Sequence, residues 1–341
     1  MKVSKFISSA AVALSLAVTP VLAQDEDVNA GEFNGKPILL STPSALAAHK
    51  LLIDVVRTEA RIVAVGEFGH VVYSDDDGAT WKQASRVETQ VTLTSVAFPT
   101  KDIGYAVGHD SMIVKTVDGG DTWRLVHEDF EAESPLLTVF FMTPDHGIAM
   151  GAFGYMLETT DAGETWEQRQ IIEGGEDDFH LNDSFRDKSG SIWVAAEFGT
   201  VYRSDDEGAT FARLQTPYEG SFWGGLGVSD GSVLIFGMRG NVFRTVDKGE
   251  TWTKIDTGVT KSFGGATQLA NGTVVLAGLS GAIAFSTDLG QSFETVSRAD
   301  REGYSAVIEI RNDQIAIFGE SGVKRMPNNA AAAMGEGGTG S

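Results

Sequence analysis

Ser74-Asp75-Asp76-Asp77-Gly78-Ala79-Thr80-Trp81 is one of six versions of a single octet, Ser/Thr-x-Asp-x-Gly-x-Thr/Ser-Trp/Phe. The later copies open at Thr116, Thr159, Ser204, Thr245 and Ser286 and close on Trp123, Trp166, Phe211, Trp252 and Phe293. Their aspartates, Asp76, Asp118, Asp161, Asp206, Asp247 and Asp288, stand 42, 43, 45, 41 and 41 residues apart. A near-constant step of that size marks a repeat protein whose units stack to share a core.

A second marker runs in phase, about ten residues ahead of each octet. It reads Gly66-Glu67-Phe68-Gly69 in the first unit and recurs at residues 108–111, 151–154, 196–199, 237–240, 278–281 and 319–322, seven times in all. Within one period the pattern is four short apolar or β-branched runs, in the second unit 93–98, 104–107, 112–116 and 122–126, broken by turn residues. Residues 45–56 satisfy a helical period, but the register of the other units makes 52–56 a first strand. Four-stranded units at this spacing predict propeller blades. The expected fold is all-β, a seven-bladed propeller over residues 36–326. Its last blade lacks a fourth strand, and an orphan strand at 36–41 is expected to pair there and close the ring.

The octet falls between the third and fourth strands. Its Asp is expected to accept backbone N–H groups two or three residues on, its Gly to supply a positive φ, and its ring to wedge against a neighbouring strand pair. Burying such a ring contributes about 2–3 kcal/mol. These are structural tasks.

Residues 1–23 read as a secretory signal: Lys2 and Lys5, an apolar run too short to span a bilayer, then small residues before Gln24. Cleavage there removes two lysines and no acid, taking the formal charge from −21 to −23. The expected product is periplasmic or otherwise exported, with a flexible acidic N-terminus at 24–35 and a disordered low-complexity tail at 327–341. The chain has no cysteine, which excludes disulfides, thiolate metal sites and a cysteine nucleophile. Strong acidity argues against nucleic acid and anionic lipid. It reads either as solubility or as attraction for a basic segment or cations.

On its glycine markers and octets the chain resembles the Asp-box, or bacterial neuraminidase (BNR), repeat class over about residues 36–326. More narrowly it resembles the photosystem II stability and assembly factor family. That resemblance implies a non-enzymatic, chaperone-like monomer without cofactor that grips a protein segment of a membrane complex during assembly. Relatives in non-photosynthetic bacteria accompany exporters of the resistance-nodulation-division type, so such a transporter is an implied client. Two departures stand out: the chain lacks the anchoring cysteine of cyanobacterial members, and no arginine-rich cluster matches theirs.

Strand alternation sends the glycine-marker loops and the long blade-to-blade loops to one face, where binding is expected. Candidate contact residues there are Glu67, Phe68, His109, Asp110, Phe153, Tyr155, Glu197, Phe198 and Arg239 from the marker loops. Phe179, His180, Phe222, Trp223, Phe263 and Tyr304 come from the starts of the innermost strands; Phe222 and Phe263 read equally well as plugs of the channel mouth. Rings among carboxylates suit a peptide or a sugar. The acidic run 173–183 matches neither an EF-hand nor a two-histidine zinc helix, so a solvated loop is expected rather than a metal site. The alternative function is a glycoside hydrolase or glycan binder. Asp110, Asp183 and Glu197 are its candidate acids, but a sialidase's Phe/Tyr-Arg-Ile-Pro tetrapeptide is absent.

Overall fold

The computed structural model describes residues 29–175 and 178–336. Seven sheets follow one another along the chain, each with its first strand innermost around a central channel; they are antiparallel except where Arg86–Val87 joins the outer edge of blade two in parallel. The first blade runs through Leu52–Arg57, Ile62–Gly66, Val71–Ser74 and Lys82–Gln83. The seventh has three strands, Tyr304–Ile310, Gln314–Gly319 and Gly322–Pro327. The chain is thus a seven-bladed propeller, and its first strand begins at Leu52 after one short turn, Ala47–His49. Second strands such as Ile62–Gly66 and Ile192–Ala196 are buried at every position, as strands covered on both faces must be.

Each octet forms the same hydrogen-bonded turn. In the first, the Ser74 hydroxyl donates to Asp76 Oδ1 at 2.8 Å and accepts the Gly78 N–H at 2.8 Å. Thr80 donates its N–H to Asp76 Oδ1 at 2.8 Å and its hydroxyl to Oδ2 at 2.6 Å. The main backbone donor therefore lies four residues on, further than expected, because Gly78 at φ 82° carries the chain round a wider turn. The Thr165, Thr210 and Thr251 hydroxyls, foremost among such donors, hold Asp161, Asp206 and Asp247 down at about 2.

The octet ring packs on the second strand of the preceding blade. Trp166 meets Tyr105 edge-on at 6.2 Å, and Trp252 meets Trp193 at 6.2 Å. Trp123, 1% exposed, shares a cluster with Val63. The series continues across the junction of the chain's two ends, where Trp81 of blade one meets Phe318 of blade seven at 5.5 Å.

Closure differs from the expectation. Residues 36–39 form a hairpin with Asn29–Phe33 and not with blade seven. The turn between them, Asn34-Gly35, has the two positive φ values of a tight hairpin. The hairpin sits beside blade two: Ile38 joins the cluster of Trp123, and the Ser41 N–H donates to the Val87 carbonyl at 2.9 Å. Part of the segment expected to be flexible, 29–35, is therefore structured. The tail differs too. Residues 330–336 form a helix, with Ala330 and Ala333 packed among Val275, Phe285 and Met326 of blades six and seven. Blade seven has no octet, so no ring is available to cover the second strand of blade six. The helix covers that site instead. Residues 1–28 and 337–341, with the expected signal sequence and the end of the tail, lie outside the described residues.

Candidate functional site

The seven glycine markers place equivalent turn tips around one face. At the second tip position six consecutive blades carry Phe68, Asp110, Phe153, Phe198, Arg239 and Ser280, all in the left-handed region with φ between 52° and 58°. That conformation costs a side-chain-bearing residue on the order of 1 kcal/mol. Three of the six are phenylalanines, and they are 57%, 62% and 60% exposed at positions 68, 153 and 198. More than half of each residue faces solvent, so burial offsets little of that cost. Asp110 and Arg239 are exposed at their tips as well, as is His109.

On blades three and four these residues come together. Phe153 stands edge-on to His180 at 4.9 Å, and Phe198 lies 5.2 Å from Phe179. The Arg213 guanidinium caps the Phe179 ring at 5.0 Å. Beside Phe153 lies a cavity of about 580 Å³, with Asp129, Glu131, Asp178, Tyr155 and Ile172 in its wall. Tyr155 is buried and donates to Asp129 at 3.3 Å; burial first, then that carboxylate, pushes its hydroxyl up to about 12.

Other candidates have different tasks. Glu67 and Glu197 are not free contact groups: their carboxylates accept the Leu51 N–H at 3.3 Å and the His180 N–H at 3.0 Å, fixing the entry to the innermost strands. Tyr304 is 1% exposed, and its hydroxyl donates to Asp300 at 2.8 Å while accepting from Arg298 at 3.1 Å. It pins the connection between blades six and seven and does not reach the rim. Phe222 and Phe263 are fully buried. Trp223 lines the central channel. The innermost strand shifts register just after its start, between Phe222 and Gly224 on this blade, so alternation along the sequence does not say which side a ring at the strand start faces.

Sequence reasoning missed the organisation of the channel itself. At one position of the innermost strand, blades one to four carry Asp54, Ser95, Thr138 and Asp183. Each side-chain oxygen accepts a backbone N–H from the next blade: Val96 at 2.9 Å, Val139 at 3.3 Å, Ser184 at 3.1 Å and Gly225 at 3.1 Å. Gly224, Gly265 and Ala306 follow on blades five to seven, where the series stops. Asp54 and Asp183 share two channel cavities of about 470 and 330 Å³, and no Lys, Arg or His lines either. Desolvation raises both carboxyls, Asp183 to about 7 with a further push from Asp54. The signal for this pattern was a polar residue two places after the apolar strand start in the first four units, visible only once the blades are aligned.

Among the described residues no three metal-ligating side chains converge. Glu176 and Asp177 of the acidic run lie outside the described residues. Asp183 is deep in the channel, whereas Asp110 and Glu197 belong to turns on the rim, so the three candidate acids do not form one constellation.

Residues 126–273 match the family model described as photosynthesis system II assembly factor YCF48. That stretch is 148 of the 341 residues, and over it the chain is similar to YCF48. Two solved YCF48 structures are similar to it. One, described as bound to D1 peptide, is 19% identical with a TM-score of 0.65, over 83% of this chain and 95% of that one. The other, from Cyanidioschyzon merolae, is 13% identical with a TM-score of 0.64, over 84% and 98%. A GH74 enzyme of Niastella koreensis is 14% identical with a TM-score of 0.67, over 84% of this chain but 54% of that one. At these identities the likeness speaks for the fold. No curated protein matches the sequence.

Proposed function

We propose that this YCF48-like propeller is a non-catalytic, exported scaffold that holds a protein segment of a membrane complex on its marker-loop face. The observation that carries the reading is the trio Phe68, Phe153 and Phe198, exposed on strained turns of blades that are otherwise tightly packed. Solvent-facing rings of this kind at repeated positions fit a contact surface. A structural neighbour described as bound to D1 peptide supports the same mode. Assembly of a membrane complex, such as an exporter of the resistance-nodulation-division type, is the role that suits such a surface outside the cytoplasm.

The non-catalytic reading rests on the candidate acids. Glu197 is engaged by the His180 N–H, and Asp183 by Gly225 inside the channel. A paired-carboxylate glycosidase needs two acids about 5–9 Å apart across an open cleft. The purified protein is expected to turn over neither sialosides nor β-glucans in a reducing-sugar assay. Turnover that disappears in Glu197→Gln would overturn this part of the reading.

The binding part is tested by Phe68→Ala, Phe153→Ala and Phe198→Ala combined. Because all three rings are exposed, the melting temperature is expected to change little. Cross-linking of the protein to its envelope partner should fall about tenfold or more. Unaltered cross-linking by a normally folded triple variant would count against the marker-loop face.

A further inference from the structure

The chemistry of the partner segment is legible from what surrounds the three rings. The exposed Asp110 tip occupies blade two, between Phe68 on blade one and Phe153 on blade three. Its backbone carbonyl accepts the Asp129 N–H, and its charge helps to raise Glu128, whose shift comes first from desolvation. Asp129, Glu131 and Asp178 then wall the cavity beside Phe153. This sector therefore presents five carboxylates next to exposed aromatic rings.

Positive charge there is sparse. Arg169, in the same cavity wall, is occupied by both oxygens of Glu158 at 2.9 Å. His127 is kept neutral by burial, which lowers it below the usual imidazole range. Lys36 of the N-terminal hairpin places its ammonium 4.1 Å from the centroid of the exposed Phe130 ring. The protein's own chain thus already shows the contact this surface favours, a lysine on a ring within an acidic field. A cation over an exposed ring contributes about 0.5–1 kcal/mol, and more where carboxylates flank it.

We infer that the segment held on this face is cationic: an extended peptide whose lysine or arginine side chains lie over Phe153 among the carboxylates of blades two and three. This rests on the proposed binding role and adds the sign of the partner's charge. An acidic segment would meet like charge at Asp110, Glu131 and Asp178, which is costly and slows encounter. The overall formal charge of −21 acts in the same direction at longer range.

The test uses two synthetic peptides of equal length, one alternating lysine with leucine and one alternating glutamate with leucine, titrated into the full chain by fluorescence anisotropy. The lysine peptide is expected to bind and the glutamate peptide not. Affinity should fall by about tenfold in Asp110→Asn/Glu131→Gln/Asp178→Asn, all exposed positions that leave the packing intact, and fall similarly in the phenylalanine triple variant. Equal or tighter binding of the glutamate peptide, lost in the phenylalanine variant, would overturn the charge inference while leaving the docking face standing. Lysine-peptide binding that ignores the three rings would be unspecific attraction to an acidic protein, and would overturn both. Failure of both peptides to bind would overturn the inference, and the envelope cross-linking would then decide separately about the face.

Discussion

Trp123→Ala is expected to lower the unfolding free energy by about 3–5 kcal/mol, the range for deleting a large buried aromatic side chain. Three contributions add at this site. The ring is 1% exposed and packs edge-on against Phe98 at 5.8 Å. It also belongs to the cluster that joins Val63 of blade one to Val96 and Ala106 of blade two. Its indole N–H donates to the Gly120 carbonyl of its own octet at 3.0 Å, so truncation leaves a buried acceptor unpaired. Because the N-terminal hairpin docks through Ile38 onto the same cluster, the hairpin should loosen together with the blade-one seam. Trp123→Phe keeps the wedge and loses the hydrogen bond, so it should cost about 1 kcal/mol. Chemical denaturation of the three proteins distinguishes these amounts. A loss below about 1 kcal/mol for the alanine variant would mean that the octet ring is not what locks one blade to the next.

The second large effect concerns the channel. Asp183 is raised to about 7 by desolvation, with Asp54 adding to it, against an ordinary value of 3.8. Between those two values the folded protein keeps a proton that the unfolded chain has released. Folded protein then binds more protons than unfolded, and the unfolding free energy falls as pH rises from about 4 to about 7, levelling off above. The carboxylate is partly accessible from the channel, and lumen water screens part of the penalty. A loss of about 2 kcal/mol across the window is therefore expected rather than the full amount set by the shift. Asp183→Asn retains an oxygen for the Gly225 N–H and cannot ionise. It should exceed the native protein in melting temperature at pH 8 and lose most of this pH slope. Parallel stability–pH curves for the two proteins would show that Asp183 does not carry the effect. Asp54 is raised in the same direction, so a residual slope in the variant is expected from it.

The two effects sit on opposite sides of each blade. The octet ring closes the seam from outside with apolar surface, and the row Asp54, Ser95, Thr138 and Asp183 closes it from inside with hydrogen bonds. Blades five to seven lack the inner polar row. There the innermost strands come close enough that a Cβ on Gly265 would lie 2.4 Å from the Ser305 carbonyl oxygen. Backbone proximity takes the place of that bond between blades six and seven, while the Ser305 hydroxyl donates to the Leu52 carbonyl at 3.1 Å between blades seven and one.

What was legible in the sequence was local. The turn chemistry of the octet depends on residues within eight positions of one another, where hydroxyl, carboxylate, glycine and ring each have one suitable task, and period and blade number follow from the recurrence of such short motifs. The exposure of Phe68, Phe153 and Phe198 was equally readable, because a turn tip between two buried strands has nowhere to hide a ring. Three matters belonged to the tertiary structure alone. Ring closure was decided between Trp81 and Phe318, at opposite ends of the chain, together with a terminal helix that covers blade six; the free strand at 36–39 paired locally because its Asn34-Gly35 hairpin forms without long-range loop closure. The tasks of Glu67, Glu197, Trp223 and Tyr304 followed from which side of a twisted strand faced the next blade, a choice that one residue of register reverses. The coupling of Asp54 to Asp183 required the ring itself, since residues 129 positions apart acquire a common electrostatic environment only when seven blades place them around one narrow channel.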